Sequence, residues 1–283
     1  MKLSTLNEAH MEERKVDSWE QFITELDVLQ RGRGGSKECA QESSLLFRGQ
    51  ENSDWRLRTT LELSRGCKLF KDYYRIISRI RPQVESLTGK QWPIPEYPEI
   101  ERLVQSYDEF DRALWAGERP AYAYMAYLRH HGFPSPLLDW TRSPYVAAYF
   151  AFSKASEDAY RQVSIYVFSE RRFRVLGNNM KVVYRFGPNV TTHPRHFLQQ
   201  SEYTLCLTFD DEWRFEQYDT VFDSGLHQQG VCWKFVMPST ERRKVLKLLD
   251  EHNLNAFSLF GSEESMIDTL AAREFDYGIG PQA

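Results

Sequence analysis

Apolar residues recur at helical spacing between Val16 and Gln30, where Trp19, Phe22, Ile23 and Leu26 share one face and Asp17 or Ser18 is placed to cap the start. Arg31-Gly32-Arg33-Gly34-Gly35-Ser36 breaks this period and reads as a flexible loop. The helical pattern returns from Cys67 to Leu87 (Leu69, Tyr73, Ile76, Ile77, Ile80) and from Glu99 to Trp115 (Leu103, Tyr107, Phe110, Leu114). Between them the prolines of Gln91 to Pro98 demand a loop. Pro120 suits the first turn of the next helix and Gly132 its end. Ser143 then serves as N-cap, with Pro144 in the first position, of a helix carrying Val146, Ala147, Tyr149, Phe150 and Ala151.

The period changes in the second half. Ser44 to Arg48 is already a short apolar strand, and Val163 to Phe168, Thr204 to Phe209 and Val231 to Met237 read as strands too. Ser239 caps a helix with Val245, Leu248 and Leu249, and Ser262 caps a last one with Met266, Ile267 and Leu270. The expected class is α+β, a helix-rich first half with a small mixed or antiparallel sheet. The chain has neither an internal repeat nor a low-complexity tract.

Composition narrows the function classes. The 283 residues are 41% hydrophobic and 14% aromatic, enough for a substantial core, and the formal charge of −4 argues against a general nucleic-acid binder. Cys39, Cys67, Cys206 and Cys232 are far apart with no CxxC pair, so reduced thiols are expected and a metal site is not. The first fifteen residues contain no apolar signal region, and no run approaches the ~20 apolar residues of a membrane helix. A cytoplasmic protein without membrane contact is expected.

Three segments carry candidate chemistry. Phe47-Arg48-Gly49-Gln50 ends a strand with a guanidinium suited to phosphate or carboxylate, and Gly49 permits close approach of a ligand or of another backbone. The alternative for Arg48 is a pairing with Asp139. In the second segment, His130-His131-Gly132 leads through two prolines to Leu138-Asp139-Trp140-Thr141-Arg142-Ser143. Extended backbone places Asp139, Thr141 and Ser143 on one side and Trp140 and Arg142 on the other, just before a helix N-terminus that favours anions. The alternative is capping by Ser143 with a structural Asp139. In the third, Gln199-Gln200-Ser201-Glu202 precedes a strand, with Glu202 a general base or hydrogen-bond acceptor, or else part of a solvated strand entry.

Taken together these segments resemble the FRG-domain family, named for its Phe-Arg-Gly motif. Trp19-Glu20-Gln21-Phe22 is similar to its opening helix, and the stretch Trp55–Leu63 follows the naming motif as it does there. His130 to Pro134 with Leu137 to Thr141 and Ser143-Pro144 resembles its most distinctive block, and Arg195…Gln199-Gln200 a third, in which Ser201 replaces the usual Gly. The resemblance implies a single FRG-type domain over 1–283. Its parts are an N-terminal tail (1–15), a leading helix and loop (16–43), a core (44–275) and a C-terminal tail (276–283).

More remotely, the order of Arg48, the Asp139–Ser143 block and Gln199–Glu202 resembles ADP-ribosyltransferases. That likeness implies an ADP-ribosyltransferase-like fold and NAD as cofactor. Arg48, Asp139, Thr141, Gln200 and Glu202 become the catalytic candidates. Arg48, Gly49, Gln50, Thr141, Ser143 and His131 become the cofactor-binding candidates. Two functions follow. One is an NAD-using transferase or glycohydrolase in bacterial stress or phage defence, with a protein or nucleic-acid acceptor. The other is a non-catalytic domain recognising a nucleotide, nucleic acid or protein segment, with Arg142, Arg195 and Lys181 on a basic surface.

Overall fold

The computed structural model describes residues 11–33, 45–64, 66–116, 119–156, 161–170, 181–187, 194–223 and 230–277. The chain begins with β1 (Glu12–Lys15), α1 (Trp19–Arg33) and β2 (Leu46–Gln50). A helical stretch follows: α2 (Thr60–Ser64), α3 (Phe70–Thr88), α4 (Tyr97–Leu103), α5 (Tyr107–Ala116) and α6 (Tyr122–His130). Next come β3 (Leu138–Thr141), α7 (Pro144–Phe152), β4 (Gln162–Glu170), β5 (Lys181–Phe186), α8 (Pro194–Leu198), β6 (Ser201–Phe209), β7 (Trp213–Phe215) and α9 (Tyr218–Asp223). The described part closes with β8 (Gly230–Pro238), α10 (Arg242–Glu251), α11 (Ala256–Phe260), α12 (Glu263–Ala271) and a π-helical turn, Ala272–Asp276.

The class is α+β, as the sequence pattern predicts. The strands form one open sheet in the order β1-β8-β4-β2-β3-β6-β5, with β7 paired to β6. It is mixed because β1 lies parallel to β8 while the other pairings are antiparallel. Side-chain alternation assigns the two faces. On one face, Val163, Ile165, Val167 and Phe235 pack with α1, α7 and α10, while Tyr203, Leu205 and Leu207 pack with α3, α5 and α6. These are two separate apolar cores, and their divide falls at β2 and β3. On the other face Leu46, Leu138, Trp140, Tyr166, Phe168 and Cys206 form one layer covered by α9.

Several expectations change. The tail expected over residues 1–15 ends in β1, an edge strand of charged residues in which Glu13 pairs with Lys234 at 2.9 Å. Arg31 to Arg33 belong to α1, and Gly34 to Ser36 of the expected loop lie outside the described residues. Of the C-terminal tail expected from 276, Asp276 ends the π-helical turn and Tyr277 is buried in the core beside α10. The helix expected from Glu99 to Trp115 is two helices, because Ser106 caps a new start by accepting from the Glu109 amide at 3.3 Å. Strand β6 begins at Ser201, earlier than its apolar run suggests. The Met266–Ile267–Leu270 stripe of α12 faces outward, and Ser265 and Thr269 face inward.

Candidate functional site

β2 and β3 pair at one position, Phe47 with Thr141. The ladder does not continue to Gly49 and Asp139, and a cavity of about 970 Å³ opens along this divide. Its walls include Arg48, Gln50, Trp55, Arg129, His130 and Asp139, and it extends past α7 to Arg195, Arg242 and Phe275.

Asp139 is the anchor. The guanidinium of Arg129, from the last turn of α6, grips both its carboxylate oxygens through Nε and Nη2 and donates from Nη1 to Thr60 Oγ1 at 3.0 Å. Arg48 reaches the same residue from β2. Its Nη1 donates to the Asp139 carbonyl at 2.9 Å and lies 3.9 Å from the carboxylate. A side chain thus bridges strands whose backbones have parted. Burial raises the Asp139 carboxyl, but Arg129, Arg48 and His130 outweigh it and hold it below its ordinary value. Burial lowers the Arg48 guanidinium below its ordinary value; Asp139 opposes this and Arg129 adds to it. Two guanidiniums therefore face one carboxylate, and Arg48 is the less well neutralised.

The depressed Asp139 value fixes a pH dependence. Stability from this pair is fully present above about pH 4, the unfolded carboxyl value, and is lost as pH falls through the folded-state value. The Asp139 side chain is 41% exposed, so solvent screening keeps the effect below that of a fully buried pair. We expect Asp139→Asn to melt earlier than wild type near neutral pH, with the gap narrowing below about pH 4. A gap constant across pH would remove the ion pair as its cause.

Gly49 answers its own alternatives. A β carbon there would lie 1.9 Å from the Ala147 carbonyl oxygen and 2.6 Å from the Ala151 amide nitrogen. The glycine is required by the backbone of α7, which crosses β2 in contact. Thr141 donates its hydroxyl to the Gln199 carbonyl at 2.7 Å and accepts from the Ser143 amide at 3.1 Å. Ser143 caps α7 by accepting from Val146 N at 3.3 Å. Both hydroxyls are engaged in holding the β3–α7 turn. Gln50 lines the cavity, and its Nε2 donates to the Arg56 carbonyl at 3.4 Å.

The third segment does not converge as expected. Glu202 opposes Trp140 in the sheet and so projects to the face opposite Tyr203 and Asp139. It is buried, hydrogen-bonded to Arg185 and 3.7 Å from Arg142. Gln200 adopts φ 48°, the left-handed turn conformation, and Gln199 is the residue that lines the cavity. His131 is exposed against the Tyr127 ring, and His130 takes the place in the wall. Of the expected basic surface only Arg195 lines the cleft; Lys181 pairs with Glu216 and Arg142 with Glu202.

Sequence reasoning missed Arg129 as the clamp on Asp139, Trp55 as an exposed aromatic in the wall, and Tyr203, whose hydroxyl lies 3.2 Å from His130 Nε2 and 3.3 Å from His196 Nε2. The one available signal was Arg129 itself, a cation in the last helical turn before the aspartate.

The family model of the FRG domain matches residues 43–159, the stretch from β2 through α7 that holds Arg48, Arg129, Asp139 and Thr141. The chain carries an FRG domain. Gln199, Gln200 and Glu202 lie beyond the matched part of the FRG domain. No curated protein and no solved structure matches the chain. No helix among the described residues is long and apolar enough to cross a membrane.

Proposed function

We propose that the cleft between β2 and β3 is a recognition site for a nucleotide-type anion, with NAD among the ligands it takes. The observation that carries this reading is the state of Arg48. Its side chain is 21% exposed at the cavity wall, and among the described residues its guanidinium makes one hydrogen bond, from Nη1 to the Asp139 carbonyl. A phosphate is the acceptor that a guanidinium fork binds best, and it would relieve the excess of positive charge beside Asp139. The carboxylate of Asp139 suits a ribose diol or a base N–H, and Trp55, half exposed, offers a ring for base stacking.

Recognition is favoured over group transfer by the carboxylates. Glu202 does not line the cavity and is held in an ion pair with Arg185, and a carboxyl held ionised by an arginine clamp, like Asp139, is a weak base. Calorimetric titration with NAD, ADP-ribose, ATP and pyrophosphate tests the reading. We expect at least one of the nucleotides to bind wild type, and Arg48→Lys to bind it about tenfold or more weakly, about 1.4 kcal/mol, at an unchanged melting midpoint. The reading fails if none of the four binds, or if the lysine variant binds equally well. Nicotinamide release from NAD by wild type, absent in Arg48→Lys, would move the assignment to catalysis.

A further inference from the structure

Helix α12 is amphipathic in the inverted sense. Its buried residues are Ser265 and Thr269, whose hydroxyls are used locally: Ser265 Oγ donates to the Ser262 carbonyl at 2.8 Å, and Thr269 Oγ1 donates to the Ser265 carbonyl at 2.9 Å and accepts from the Phe257 amide at 3.0 Å. Met266, Ile267 and Leu270, which share one helical face at i, i+1 and i+4, are 39%, 58% and 47% exposed. The elements packed beside α12 carry exposed phenylalanines too: Phe275 in the following turn is 86% exposed and Phe257 on α11 49%, and α8, which packs on α11, carries Phe197, also 86% exposed. An exposed apolar helix stripe with exposed phenylalanines on the neighbouring elements is the kind of surface that marks an interaction site.

The charges around the stripe select the occupant. Glu263, Glu264 and Asp268 on α12 and Glu274 beyond it are exposed, and Asp276 is partly so. The cation within this stretch, Arg273, is engaged by Asp250 at 2.8 Å. An apolar stripe with an acidic border complements a helix whose apolar face is flanked by lysine or arginine. It opposes an anionic membrane surface. We propose that α12, with α8, α11 and the turn after α12, is a docking face for a basic amphipathic helix of a partner protein. Phe275 belongs both to this face and to the wall of the cleft, so the docked helix lies beside the cleft mouth.

The test uses three synthetic helical peptides that share one leucine-phenylalanine face and carry lysine, glutamate or glutamine elsewhere. Fluorescence anisotropy should show the lysine peptide binding the full chain at least about tenfold more tightly than the glutamate peptide. Ile267→Ser with Leu270→Ser should remove that binding without moving the melting midpoint, since both side chains are exposed. Glu263→Lys with Glu264→Lys and Asp268→Lys should reverse the order of the peptides. Equal binding of all three, no binding of any, or binding indifferent to the serine substitutions overturns the proposal. Light scattering that finds a dimer dissolved by the serine substitutions would assign the face to a second copy instead. Equal recruitment to neutral phosphatidylcholine vesicles would assign it to lipid.

Discussion

Gly49→Ala destabilises the chain by about 3 kcal/mol or more, at the upper end of what overpacking costs. The atoms its β carbon would strike, the Ala147 oxygen and the Ala151 nitrogen, belong to helix backbone, so no rotamer change relieves the clash. Neither partner is free to retreat. β2 is locked to β4 with Gly49 opposite Ile165, and α7 is held by its Ser143 cap and by Ala147, Ala148, Ala151 and Phe152 in the core. Equilibrium denaturation of the variant checks this. A midpoint equal to wild type would mean that α7 slides over β2 without cost.

Trp140→Ala costs roughly 3–5 kcal/mol, the range for deleting a large buried aromatic side chain. The indole is 3% exposed and packs against Phe168 with ring centroids 5.7 Å apart. Its Nε1 donates to Thr204 Oγ1 at 2.8 Å, which also meets the Tyr218 hydroxyl at 2.8 Å. Alanine leaves a cavity and takes the indole N–H donor from a buried hydroxyl pair. Trp140→Phe should recover part of the loss, because it refills the cavity but does not restore the donor. Thermal melts of the two variants decide the matter, and an unshifted midpoint for alanine would exclude a core role for the indole.

The sequence pattern foretold those features that local rules control. Ser143-Pro144 opens α7 with the side-chain cap expected, and the apolar runs of β4, β6 and β8 are strands. Arg48, Asp139 and Thr141 do border one cleft, as their positions at strand ends suggested. What escaped is what tertiary geometry decides. His130 rather than His131 faces the cavity because adjacent residues on a helix diverge by about 100°. Glu202 shares a sheet face with Trp140 rather than with Asp139 and is held there by Arg185, and polarity alone does not tell a strand's two faces apart when the residue is buried in an ion pair. Arg129 is recognisable as the partner of Asp139 only once α6 is brought over β3.

The position of β2 and β3 in the middle of the sheet has a consequence for how the FRG segment can be inherited. Residues 43–159 contain both strands but neither of the strands that flank them, since β4 and β6 come later in the chain. Lifted out, the segment would keep two short strands joined at one pair of residues, each with a bare edge. It is a fragment of architecture rather than a portable module. Any chain that carries it must supply its own neighbours on both sides, strands that complete the hydrogen bonds and also fill the apolar cores on both faces of the sheet.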